Sequence, residues 1–444
     1  MKKAISLALC LVMAGAALSA CSDPDKFSDS ENLTSKFTRS DKTDETFNYA
    51  DGADTAPSSY ETYQTKITDF ELRLFRNCHK NGSYVICPAN EMLNLADTAN
   101  GASGDTQSEI LNALGSGLTL ENVNQCSSYF ASRLQSVADS ESSPSSDTTE
   151  KKTDGKYFVK LLNSQLVNDK ADMMTGFLQT TKNYYDTNVL RFDFADSSSL
   201  KKLNNFYSDF SNGSSASQCL DKNQSFVSLS AADICDKWLN PYAKTDITKG
   251  KFKSSDGEKE VNYMTSNETY MKSKKAKAVM KYFSQTPLKM MLIMPEENVS
   301  LDDYVSDFTM LEYTTLLDSV DVTKNVETKI PEFSISAEKS PVDMTKAMQK
   351  SGLKSTFTDD ANYKNLSHSD KTLYSAAYEL SPALTINAGG IAGTVSNGDE
   401  AELEKHTQKT EKCDTKLEFN RPFMFIILDN ESSIPVYMGA YTGA

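Results

Sequence analysis

Phe419–Ala444 reads FNRPFMFIILDNESSIPVYMGAYTGA. Two apolar runs flank a short polar turn, and the pattern predicts two buried strands joined tightly. Upstream, Thr385–Asn397 reads TINAGGIAGTVSN, a run of small and β-branched residues with three glycines, no charge and no proline. Between them lies DEAELEKHTQKTEKCDTK, Asp399–Lys416, acidic and lysine-rich. A charged loop held between a strand-competent stem and a strand pair is displayed to solvent. The function is expected to lie in what that loop meets.

The other end of the chain is a targeting segment. Lys2 and Lys3 are basic, Ala4–Ala17 is apolar and uncharged, and Leu18-Ser19-Ala20-Cys21 sets small residues ahead of a cysteine. This resembles a bacterial lipoprotein signal, in which residues 1–20 are removed and Cys21 carries lipid. An ordinary secretory signal cleaved nearby is the alternative. Both imply export, and the apolar run is too short for a comfortable membrane span. Residues 21–58 are rich in Ser, Thr, Asp and Lys and predict a flexible tether. Residues 59–444 are enough for one large fold or two smaller ones.

Loss of Lys2 and Lys3 takes the formal charge from −15 to −17. That balance, without a basic aromatic-interleaved patch, excludes nucleic acid as a partner. Beyond Cys10 and Cys21 there are six cysteines: Cys78, Cys87, Cys126, Cys219, Cys235 and Cys413. Their even number permits disulfides in an exported protein, but the scattered spacing fits free buried thiols equally well. No CxxC pair exists, so no metal is expected. The three histidines, His79, His368 and His406, stand outside any GxSxG or HExxH framework, so hydrolase chemistry has no visible basis.

Ile67, Phe70, Leu74 and Phe75 predict an amphipathic helix within Tyr60–Lys80. Tyr84–Ile86 reads as a strand and Glu91–Ala99 as a helix stopped at Asn100-Gly101. Thr106 is expected to cap a helix ending at Gly115. Phe158–Val167 reads as a strand, Met173–Tyr185 as a helix, and LKMMLIM between Pro287 and Pro295 as a buried strand. Val326–Ile335 continues the strand signals. Ser340-Pro341-Val342-Asp343 has the form of a helix start. Helices dominate early and strands late, without regular βα alternation or repeats, which argues against a two-domain solute-binding protein and for an α+β fold.

Several segments together resemble the serpin (serine protease inhibitor) family. They are MLNLADTANGASGDTQSEILNALG (Met92–Gly115), Asp236-Lys237-Trp238 with Asn240-Pro241-Tyr242, and the long stretch Ile330–Ser367. Phe419-Asn420-Arg421-Pro422-Phe423 and Val436-Tyr437-Met438-Gly439 complete the set, in the family's order from about Lys66 to Ala444. The resemblance implies three β-sheets, eight or nine helices and an exposed reactive loop at about 388–415. It implies an inhibitor and not an enzyme, without cofactor, acting as a monomer. Its partners would be extracellular serine proteases of trypsin, elastase or subtilisin type. In the family, a protease cleaves the loop and becomes acylated to it. The stem then inserts as a strand in the central sheet and distorts the protease.

Aligning Ile386-Asn387 with the family's strand end places Gly390 at the hinge. The stem is then Gly390, Ile391, Ala392, Gly393, Thr394, Val395 and Ser396, with Ile391, Gly393 and Val395 on one face. Ile391 stands where the family has a small polar residue, and the alanine run is only loosely kept. Fourteen residues on from Gly390 is Glu404, whereas the spacing back from FNRPF reaches Glu411. The hinge count is preferred, because a slack stem would leave the protease undistorted. It puts Leu403, Glu404 and Lys405 at the scissile bond. Lys405 suits a trypsin-like enzyme, Leu403 an elastase- or chymotrypsin-like one.

The resemblance assigns sheet opening to Cys87, Asn90 and Trp238, with Cys87 and Asn90 where two serines are usual. The usual partner histidine is replaced by an apolar residue near Leu380. An inhibitory serpin and a non-inhibitory serpin-fold binding protein both fit these residues.

Overall fold

A computed structural model describes residues 25–39, 55–135, 157–210, 214–368, 375–393 and 415–443, apart from the side chains of 322–325. The amphipathic spacing near the start becomes α1 (Tyr60–Cys78), which buries Tyr63, Ile67, Phe70, Leu74 and Phe75. The strand β1 (Tyr84–Ile86) follows, then α2 (Pro88–Gly101), α3 (Gly104–Gly115) and α4 (Leu120–Gln135). Next come β2 (Phe158–Asn168), α5 (Thr175–Tyr185), β3 (Asn188–Phe192), α6 (Ser197–Phe206) and β4 (Phe226–Lys237). Four strands succeed them: β5 (Ile247–Ser254), β6 (Gly257–Lys272), β7 (Ala276–Tyr282) and β8 (Leu288–Pro295). After α7 (Leu301–Ser306) and α8 (Met310–Asp318) run β9 (Asp321–Pro331), β10 (Phe333–Ile335), β11 (Val342–Asp343) and α9 (Met344–Lys350). The chain ends with β12 (Ser375–Glu379), β13 (Leu384–Ile386), β14 (Gly390–Ala392), β15 (Lys416–Glu418), β16 (Phe423–Asp429) and β17 (Pro435–Tyr441).

The strands form two hydrogen-bonded networks. The central sheet has the order β10-β13-β14-β4-β12-β11, with β2 pairing β4 and β3 pairing β2. The second network runs β1-β17-β16-β8-β7-β6-β9-β15, with β5 also on β6. Strand β6 is long enough to pair with β5 at one end and β7 at the other. It thereby joins two of the three expected sheets. The C-terminal runs are the predicted strand pair, β16 and β17, buried throughout.

Strand β4 is buried along nearly its whole length, its polar residues Ser228, Ser230, Asp233 and Asp236 included. Val227, Leu229 and Ala231 pack with Leu203 and Tyr207 beneath α6. Phe226, Ala232 and Ile234 join the main core with α1, α2 and the C-terminal strands.

Three expectations are corrected. Val342 and Asp343 do not begin a helix; they pair with Glu379 and Tyr378 of β12, and this long-range ladder overrides the local start signal. Asp343 then caps α9, its Oδ1 accepting from Thr345 N at 3.1 Å. Thr106 lies inside α3 and is not its cap; its hydroxyl is buried and accepts from Asn362 N at 2.9 Å. Part of the polar segment 21–58 is packed. Leu33 N donates to Val189 O, Arg191 N to Glu31 O, and Thr34 Oγ1 to Thr187 O, extending the central sheet beyond β3. Phe27 meets the ring of Phe206 edge-on, and Lys202 pairs with Glu31 at 2.6 Å. Composition concealed this because the bonds are made by polar groups that are equally at home in a loop. Cys21 lies outside the described residues. No described helix is long and apolar enough to cross a membrane.

Candidate functional site

The proximal stem is seated in the central sheet. β14 lies between β13 and β4, with Gly390 opposite Lys237, Ile391 opposite Asp236 and Ala392 opposite Cys235. Gly393 N continues the ladder by donating to Ile234 O at 2.7 Å. Ile391 is buried and joins the main core. Close approach dictates the glycines. A Cβ on Gly390 would overlap the carbonyl oxygen of Asp236 and stand 2.6 Å from Lys237 Cα. A Cβ on Gly393 would overlap Asp233 Oδ1. Thr394, Val395, Ser396, Leu403, Glu404, Lys405 and Cys413 lie outside the described residues.

Trp238, at the end of β4, holds the turn that leads into the stem. Its Nε1 donates to Asn387 O at 2.9 Å, and its backbone N donates to Gly389 O at 3.1 Å. Its ring stacks on Phe283 at 4.7 Å. Beneath it Lys281 is buried, paired with Glu268 at 2.7 Å and 4.3 Å from the Tyr242 ring centroid. Burial opposes the Lys281 charge, but Tyr242 and Glu268 outweigh it and raise the ammonium's pKa. Tyr242 N donates to Ala388 O at 3.3 Å, so this lysine underlies two contacts to the stem's turn. Asp236 ties the same corner together, accepting from Thr286 N at 2.7 Å and Thr286 Oγ1 at 2.6 Å.

Below the seated residues the sheet is closed. β12 pairs directly with β4, from Ser375–Phe226 to Glu379–Ser230, and Leu380 N donates to Ser230 O at 2.8 Å. Cys87 and Asn90 lie under this seam. Cys87 N donates to Glu379 Oε1 at 2.7 Å, and Asn90 Nδ2 donates to Ala231 O at 2.9 Å. Burial pushes the Cys87 thiol well up, as it does the other buried thiols. Among the described cysteines, Cys78, Cys87, Cys126 and Cys219 are free thiols.

Leu380 packs into the cluster beneath α6, and its neighbour Glu379 enters the space below the seam. Glu91 joins it from α2, accepting a hydrogen bond from Ser230 Oγ. Sequence reading passed over Glu91, Glu379, Lys281 and Glu268, because single charges in an acidic chain attract no notice. The available signal was a charge inside an apolar strand, as in AKAVMKY and SAAYE.

This arrangement, a seated stem above a closed seam with a supporting tryptophan, coincides with a family match. The model of the serpin (serine protease inhibitor) family matches residues 65–443. The chain is a serpin. Members of this family are in general protease inhibitors and not enzymes. Mouse alpha-1-antitrypsin 1-5 is 22% identical over 414 residues, covering 87% of this chain and 90% of that protein. An uncharacterized serpin-like protein of Methanosarcina mazei is 21% identical over 294 residues, covering 64% and 67%. Among solved structures, the thermophilic serpin tengpin in its native state superposes with a TM-score of 0.75 at 22% identity, covering 93% of this serpin and 99% of tengpin. The same protein in its latent state gives 0.68. At these identities the structural likeness establishes the fold.

Proposed function

We propose that this serpin is a suicide inhibitor of extracellular serine proteases, cut in the reactive loop at about 388–415 and trapping the enzyme by drawing its stem into the seam between β4 and β12. One observation carries the reading: Gly390–Ala392 already form a strand at the seam's upper end, in register with β4. Continued in that register, Val395 would come opposite Ala232, on the main-core face, so an apolar residue would meet an apolar site. The hinge count keeps Leu403, Glu404 and Lys405 as the scissile region. The name of the mouse relative refers to trypsin, which favours Lys405 and a trypsin-like target. Cys21 is the proposed lipid attachment, placing a monomeric domain at the extracellular face of a bacterial membrane, or in the medium if the signal is simply secretory.

A second reading, a non-inhibitory serpin-fold binding protein, is favoured by the buried Asp233 carboxylate. It borders Gly393, the position at which a lengthening strand must pass it. Incubating the mature chain with trypsin-, elastase- and subtilisin-like proteases separates the two. The inhibitor reading expects an SDS-stable complex, a cut mapped by mass spectrometry to 403–405, and higher thermal stability after cleavage. Cleavage with neither complex nor stability gain overturns it.

A further inference from the structure

The seam between β4 and β12 is underlaid by two carboxyls that form no ion pair among the described residues. Glu91 and Glu379 are both fully buried, and each uses one oxygen only. Glu91 bonds Ser230 of β4, while Glu379, on β12, bonds the backbone N–H of Cys87 just ahead of α2. Ser230 and Glu379 are register partners across the seam. The second oxygens, Glu91 Oε2 and Glu379 Oε2, have no partner. Glu91 also lines a small cavity with Asn94, Thr98 and Ser228, and both side-chain polar atoms of Asn94 are unpartnered.

Among the described residues no cation compensates either carboxyl. The titratable groups around them are Glu71 and Cys78 of α1, Cys87 ahead of α2, Asp233 of β4, Tyr207 after α6 and Tyr437 of β17. Lys80 and Lys350 act on Cys78, and neither is among the influences on Glu91 or Glu379. Two ionised carboxylates cannot share such a site cheaply, since burial and mutual repulsion both oppose charge.

We propose that Glu91 and Glu379 form a proton-dependent latch on the β4–β12 seam, so that the central sheet opens more readily as these carboxyls ionise. The sign follows from burial. In the closed sheet, desolvation raises Glu91 to about 7, against the bond from Ser230. Desolvation, then the nearby Glu91, raises Glu379 well above its ordinary value. Opening the seam admits water and lets both return towards ordinary carboxyl behaviour. The closed form therefore binds protons that the open form releases. The stability that Glu91 adds is complete below the ordinary carboxyl pKa and is lost as pH rises through about 7, and Glu379 acts in the same direction. The latch concerns the sheet alone and holds whether or not a protease is trapped.

Amide exchange tests it without any protease. The Leu380 amide crosses the seam to Ser230 O, and its protection reports opening. After correction for intrinsic base catalysis, protection at Leu380 should fall at least about tenfold between about pH 5.5 and about pH 8. The ladder amides of Ile426 and Ile427, between β8 and β17, should not follow. Glu91→Gln with Glu379→Gln should flatten the profile, while Glu71→Gln, which removes the neighbouring buried carboxyl, should leave it steep. A flat profile in the unaltered protein overturns the latch, as does a slope that survives the double substitution. Should the double variant fail to fold, Glu379→Gln alone and the comparison of Leu380 with Ile426 in the unaltered chain decide the matter.

Discussion

Gly390→Ala adds one methyl group at the point where the stem enters the sheet. The methyl would overlap Asp236 O and stand 2.6 Å from Lys237 Cα, so backbone must move. Whether it moves by widening the sheet or by expelling β14 depends on how firmly β14 is held. Burying Ile391 contributes about 2–3 kcal/mol, and the two flanking ladders with Gly393 N–Ile234 O contribute about 4–5 kcal/mol together. Ordering about four backbone residues costs roughly 4–6 kcal/mol. The seat is thus favourable by only about 2 kcal/mol, less than the cost of forcing a methyl into β4 backbone. Expulsion is the expected outcome. Exchange of the 390–393 amides should then quicken by roughly thirtyfold or more. Gly176→Ala is the matched control: nothing lies within 4 Å of that Cβ, and a helical alanine should leave stability equal or slightly higher. If 390–393 keep their protection in Gly390→Ala, the segment is not seated between β13 and β4 and the reasoning fails.

Two further outcomes follow from buried and half-buried charges. Lys281→Met should destabilise by about 3 kcal/mol, because it leaves Glu268 largely buried without its cation, and adding Glu268→Met should restore most of the loss. Trp238 is the only tryptophan, so its emission should shift to the red in the single variant as its support loosens; unchanged emission and unfolding would contradict the role given to Lys281. Glu109 caps the turn at 354–356, accepting from Lys354 N, Ser355 N and Thr356 N and from both hydroxyls. Burial pushes its pKa up, but the Thr356 and Ser355 bonds outweigh it and hold the carboxyl below 4.5. Its stabilisation is therefore present above that value and fades as pH falls below it. Glu109→Gln should cost about 1–2 kcal/mol at neutral pH, a figure already discounted for partial exposure, and should flatten the acid limb of the stability curve measured by urea unfolding.

The apolar periodicity of α1, the buried run of β8 and the strand pair β16–β17 were legible in the chain, because a residue's own side chain and its near neighbours decide them. So was the fitness of Gly390–Ala392 to be a strand, which needs only uncharged, proline-free residues. Where long-range pairing competed with a local signal, the local signal lost. Val342-Asp343 became strand because β12 lay beside it, and residues 25–39 packed because β3 offered an open edge. The site divides in the same way. Gly390 could be located by counting, but that it abuts Asp236, that Lys281 supports Trp238, and that Glu91 and Glu379 meet beneath one seam are facts of three dimensions. Sequence by itself determined the segments that their own residue pattern decides, such as α1, β8, β16 and β17. Only tertiary structure decided which charges are buried together, because desolvation and repulsion depend on distance through space and not on separation along the chain.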